Sequence, residues 1–105
     1  ALDLSKAGRL EFHPPDHERF PCLGLAYRAL RAGGTLAGVM NAANEVAVAS
    51  YLDEKISFVA IPRVIEQTMD AHSPVPAPAL EAIREIDRWA RRYSQNVALG
   101  FRLRA

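Results

Sequence analysis

The sequence holds a single cysteine, Cys22, so no internal disulfide is available to it. With no C-x-x-C pair a zinc ribbon and a thioredoxin-like redox site are excluded as well, and a reducing compartment is expected. An excess of one charge is also missing, since 13 Lys and Arg stand against 12 Asp and Glu for a formal net charge of +1. No whole-chain field therefore draws the protein to nucleic acid or to an anionic membrane. There is no secretory signal pattern and no comfortable membrane span, which requires about 20 predominantly apolar residues. Internal repeats and low-complexity tracts are absent. A starting methionine is absent too: Ala1 leads straight into the charged stretch LDLSKAGR, and a processed or excised piece is the expectation.

What is present is one domain's worth of ordinary globular chain, 105 residues with 50% hydrophobic and 24% charged side chains. Its organising stretch is Leu36 to Leu52, LAGVMNAANEVAVASYL, apolar on nearly every side. At 100° per residue Met40, Ala43, Ala47 and Tyr51 form one stripe, with Val39, Val46 and Ser50 beside it. A helix apolar almost all round is a buried helix, so this one is expected to be the most buried of a small bundle. Asn41, Asn44 and Glu45 sit in its middle and then require hydrogen-bond partners, because an unpaired buried polar group costs about 1–3 kcal/mol. Those partners are expected to be helix ends, a loop such as Pro14 to Arg19, or a surface outside these residues.

Taken in order, Arg9 to His13 alternates apolar and polar before Pro14-Pro15 stops it, the pattern of one short strand. A lone strand has unpaired edges, so Leu2 to Phe12 is expected to lie along the bundle or to pair with another chain or domain. Pro14 to Arg19 reads as a loop. Phe20 to Ala32 carries Leu23, Ala26, Tyr27 and Leu30 at helical spacing, and Gly33-Gly34 ends it. Thr35 is placed to cap the central helix, and Ser57 to cap a third helix running from about Phe58 to Ala71. His72 to Pro78 is a proline-rich connector. Leu80, Ile83, Ile86, Ala90, Tyr93, Val97 and Phe101 then make the strongest periodic stripe of the chain. Asp87 is a candidate to recap it, which would split it into a short helix to about Ile86 and a longer one to about Arg102. The fold expected is mainly α, a small four-helix-type bundle over residues 20–105 preceded by an extended connecting segment over 1–19 with one short strand.

Four constellations invite a chemical reading. His13, Asp16, His17, Glu18 and Cys22 gather metal-ligand types, but Pro14 and Pro15 forbid the helix that would align the two histidines. A solvated loop in which Asp16 and Arg19 tie it to the next helix accounts for them better. Arg84, Arg88, Arg91, Arg92, Arg102 and Arg104, interleaved with Trp89 and Tyr93, resemble a nucleic-acid stripe. Glu81, Glu85 and Asp87 stand among them at helix-pair spacing, so a solvated helix face is the better account. Asn41, Asn44 and Glu45 have no adjacent nucleophile and base, no paired carboxylate and no phosphate-cradling loop. Gly33-Gly34 before a helix start has the form of an anion seat, but a helix stop explains it better.

The blocks PPDHERFPCLGLAYRAL, GGTLAGVMNAANEVAVASYLDEKISFVAI and EAIREIDRWARR, in that order, resemble the C-terminal part of the 1-deoxy-D-xylulose 5-phosphate reductoisomerase family. One departure stands out: a proline common in the family ahead of the NAANE block is Ala37 here, followed by Gly38, which leaves the start of the central helix less rigid. The resemblance implies a parent enzyme that rearranges and reduces 1-deoxy-D-xylulose 5-phosphate to 2-C-methyl-D-erythritol 4-phosphate in the non-mevalonate route to isoprenoids. It implies NADPH and a divalent metal, Mg or Mn, held by domains ahead of Ala1, and no catalytic, cofactor-binding or metal-binding residue in this chain. Asp16, Arg19, Asn41, Asn44 and Glu45 are then structural or interdomain residues. Partners implied are the absent NADPH-binding and catalytic domains of the same polypeptide and a second copy in a homodimer, with neither nucleic acid nor membrane. The compartment implied is a bacterial-type cytoplasm or a plastid. The alternative is a free-standing helical protein-interaction module without enzymatic activity.

Overall fold

A computed structural model describes residues 21–76 and 78–103. They form four helices: α1 (Pro21–Ala32), α2 (Leu36–Leu52), α3 (Ala60–Asp70) and α4 (Leu80–Gly100). The mainly α, four-helix expectation holds for them. The strand expected over Arg9 to His13 lies outside the described residues, as do Asp16 and Arg19.

Proline is tolerated at the first position of α1, where its missing N–H would have had no intrahelical acceptor. Leu25 and Ala29, four apart, are its buried residues. The chain then reverses through Gly33 and Gly34, at φ +66° and +58°, in the left-handed region that side chains disfavour. Gly34 is also pressed against the α3–α4 connector: a Cβ there would stand 2.7 Å from the Val75 carbonyl oxygen.

Helix α2 packs against each of the other three, so its central position was read correctly. Its burial was not. Leu36, Val39, Ala42, Ala43 and Ala47 are buried, while Ala37, Gly38, Asn41, Glu45, Ala49 and Leu52 are exposed. The shorter α3 buries Ala60, Ile61, Val64, Ile65, Thr68 and Met69 and is the more deeply set of the two. The reason lies in composition: Ala and Gly count as apolar in a pattern yet present too little side chain to compel burial.

Helix α2 ends in a Schellman arrangement, with Lys55 N–H donating to the Ser50 carbonyl and Glu54 N–H to that of Tyr51. Glu54 occupies the left-handed position at φ 60° that glycine usually takes. Neither expected hydroxyl cap forms: Thr35 and Ser57 make no side-chain cap bond, and α3 starts from Val59 through two tight turns, Ala60 to Ser57 and Ile61 to Phe58. Nor does Asp87 break the last helix, which is continuous from Leu80 to Gly100. Its carboxylate is occupied by Arg91 one turn on, at 2.9 Å.

The core lies where α2, α3 and α4 meet, with Val39, Val64, Ile65, Met69 and Ala90 fully buried. Two buried hydroxyls are satisfied inside their own helices, Thr68 donating to the Val64 carbonyl at 2.8 Å and Ser94 to that of Ala90 at 2.6 Å. Among the described residues no buried side-chain nitrogen or oxygen lacks a partner.

Candidate functional site

Two polar centres stand out, one on each side of α4. On the first, Arg91 of α4 reaches to α2. Its Nε donates to Asp87 Oδ2 at 2.9 Å and its Nη2 to Glu45 Oε2 at 2.6 Å. The hydrogen bond to Asp87, then that to Glu45, holds the guanidinium charge above its already high ordinary range. This pair sits at one side of a groove of about 460 Å³ between α2 and α4, whose wall also carries Ser50, Lys55, Gln95 and Arg102. The backbone after α4 closes the far end, Leu103 N–H donating to the Lys55 carbonyl at 2.7 Å.

On the second, the Thr35 hydroxyl joins the start of α2 to the α3–α4 connector. It accepts the Val75 N–H at 3.0 Å and lies 2.6 Å from His72 Nε2. Thr35 is buried, and the tautomer that leaves Nε2 unprotonated lets the hydroxyl donate to it while accepting from Val75. Burial pushes the His72 imidazole below its ordinary value in the same sense. The ring also lies 5.6 Å from that of Trp89, which stacks on Tyr93 at 5.2 Å.

The described residues place several of the candidate side chains. Asn41 and Glu45 are exposed and Asn44 is half-buried, so the burial that called for partners is not there. Asn41 and Asn44 make no side-chain hydrogen bond among the described residues, and Glu45 has Arg91. In the arginine stripe Arg91 is paired twice and Arg84 lies 3.7 Å from Glu81, while the Trp89 ring stacks against neighbouring rings; Arg104 lies outside the described residues. Of the metal-ligand types only Cys22 is described, half-buried, its thiol held in the protonated form by burial. No group of three His, Cys, Asp or Glu side chains converges among the described residues. In the Gly33-Gly34 turn both residues are exposed; Gly34 lies against the Val75 carbonyl while Gly33 faces open space, and the turn closes α1 as a helix stop. Sequence reasoning missed the Thr35–His72–Val75 junction and the Glu45–Arg91 pair, whose partners lie 37 to 46 residues apart and leave no local signal.

The model of the DXP reductoisomerase C-terminal domain matches residues 1–93. The chain belongs to this family.

Among reductoisomerase relatives, the 1-deoxy-D-xylulose 5-phosphate reductoisomerase of Acetivibrio thermocellus is 52% identical over 96 residues, covering 91% of this chain and 25% of its own length. That of Synechocystis is 56% identical over 93 residues, 87% of this chain and 24% of the relative. A solved reductoisomerase from Zymomonas mobilis, in complex with NADPH, superposes with a TM-score of 0.75 at 40% identity, over 93% of this chain and 26% of that one. The chain thus spans about a quarter of the length of the reductoisomerases it matches. No helix among the described residues of this reductoisomerase domain is long and apolar enough to cross a membrane.

Proposed function

We propose that this chain is the C-terminal supporting domain of an NADPH-dependent reductoisomerase that converts 1-deoxy-D-xylulose 5-phosphate to 2-C-methyl-D-erythritol 4-phosphate for isoprenoid synthesis. The observation that carries the reading is the family match over residues 1–93, at a quarter of the relatives' length. Residues 1–19 serve as the connecting segment and 20–105 as the bundle that braces the catalytic part. Among the described residues no three His, Cys, Asp or Glu side chains converge as a Mg or Mn site would need, and no step through a metal or NADPH is assigned to them. Both groups belong to the preceding domains of the same polypeptide, which works as a homodimer in a bacterial-type cytoplasm or a plastid. Asp16, Arg19, Asn41, Asn44 and Glu45 act structurally or between domains.

Loss of NADPH absorbance at 340 nm with 1-deoxy-D-xylulose 5-phosphate and magnesium tests the reading. The full-length polypeptide is expected to turn over, and the 105-residue chain to stay at the background of a catalytically dead full-length variant. A full-length protein without turnover, or a native product near 11.6 kDa beginning at its own methionine, would overturn it in favour of a free-standing interaction module.

A further inference from the structure

Among the described residues, one apolar face left open by the four helices lies at the start of α1. Leu23 on α1 and Phe58 and Val59 ahead of α3 line a cleft of about 1070 Å³. These side chains are 40%, 69% and 70% exposed. Tyr51, whose ring meets that of Phe58 edge-on at 5.6 Å, carries the apolar surface on to the end of α2. Arg63 and Glu66 complete the lining with charge, and an apolar centre with polar neighbours is the anatomy of a protein interface.

The occupant is indicated by the direction of the chain. Pro21, the first residue of α1, lines the cleft, so the peptide bond that joins α1 to the upstream sequence lies at its wall. The family match is to a C-terminal domain, and the matched relatives have three-quarters of their length elsewhere, on that same upstream side. We infer that the cleft between α1 and the start of α3 is the seat of the domain that precedes this one in the longer polypeptide, which docks an apolar surface into it. This rests on the reading of the chain as the C-terminal part of a reductoisomerase.

Cys22, the one cysteine of the chain, lines the cleft and reports on its cover. Maleimide labelling, read at the Cys22 peptide by mass spectrometry, is run on the full-length polypeptide, on its Val59→Arg variant and on the 105-residue chain, with helix content followed by circular dichroism. Cys22 of the full-length protein should label at least tenfold more slowly than in the chain alone. Val59→Arg should remove most of that protection and leave the helix signal unchanged. Equal labelling in full-length protein and chain would overturn the inference, as would protection that survives Val59→Arg. Protection that grows with protein concentration would give the cleft to a second copy and overturn it too. If the chain alone loses its helix signal, the comparison between the full-length protein and Val59→Arg decides the matter. Turnover of NADPH by the full-length polypeptide is followed in parallel: its absence counts against the proposed function and leaves the labelling result standing.

Discussion

Glu45 on α2 and Arg91 on α4 meet at 2.6 Å across the groove between their helices, with Arg91 already held by Asp87 on its own helix. A side chain fixed by one partner has less rotamer freedom to lose to the next, so Asp87 prepares Arg91 for Glu45. The pair remains at the surface, the two side chains being 53% and 40% exposed, and water and salt screen it.

Replacement of Glu45 by Gln should therefore lower stability by no more than about 0.2–1 kcal/mol, the usual worth of an exposed pair. A double-mutant cycle with Arg91→Met, read from urea unfolding, should give a coupling of that size which shrinks in molar salt. In the full-length enzyme the same Glu45→Gln change should leave the chemical step nearly untouched. Coupling well above this range would place Glu45 in a drier setting than the groove between α2 and α4.

Two left-handed positions should respond in opposite ways. Glu54 carries a Cβ at φ 60°, so Glu54→Gly is expected to stabilise by up to about 1 kcal/mol through relief of that conformation. Gly34→Ala should destabilise more than Gly33→Ala. Both impose the left-handed penalty of about 1–2 kcal/mol, but only at Gly34 would the new Cβ meet the Val75 carbonyl at 2.7 Å. Thermal melts of the three variants rank these effects directly, and equal losses at Gly33 and Gly34 would contradict the close approach.

Truncation in the core should cost more than any of these. Met69 is fully buried on α3, and Met69→Ala should lose about 2–5 kcal/mol in denaturant unfolding. The contrasting change is Leu52→Ala on α2, where the side chain is 73% exposed and the expected change is within about 0.5 kcal/mol. If the two losses were similar, the assignment of the deeper place to α3 rather than α2 would be wrong.

That assignment also shows what the sequence could carry. The stripe from Leu80 to Phe101 is built of large side chains at regular spacing, and it appears as one continuous helix over Leu80–Gly100. The proline-rich connector and the glycine pair fell where expected, because those residues restrict or free the backbone locally. Burial of α2 was misread because Ala37, Gly38 and Ala49 are apolar without being large. The caps at Thr35 and Ser57 were misread because a hydroxyl bonds whatever the tertiary fold brings, and for Thr35 that was His72 and Val75. Of the candidate residues, Glu45 was legible as one needing a partner; Arg91, 46 positions away, was not legible as that partner.

The junction at Thr35 gives the last prediction, a pH dependence with a definite sign. In the fold the Thr35 hydroxyl accepts from Val75 N–H and lies 2.6 Å from His72 Nε2, a geometry that suits the neutral imidazole with Nε2 as acceptor, and burial lowers the pKa of the ring. In the unfolded chain the same histidine titrates near its ordinary value of about 6.5. The unfolded state thus binds the proton at a higher pH than the folded state, and stability must rise with pH across that interval. The contribution of His72 is complete above about pH 6.5 and is lost as pH falls through the lower folded value. A proton on Nε2 would face the hydroxyl hydrogen, which would then turn away and be left without an acceptor at a buried site. Urea midpoints measured for wild type and His72→Gln from pH 8 downwards should therefore converge toward the acid end, with wild type losing more stability below its plateau. Thr35→Val, which strands both Val75 N–H and His72 Nε2, should cost about 1–3 kcal/mol at neutral pH, whereas Thr35→Ser should retain most of it. Parallel acid profiles for wild type and His72→Gln would mean that the proton is taken up elsewhere, and that the junction holds equally well with His72 charged.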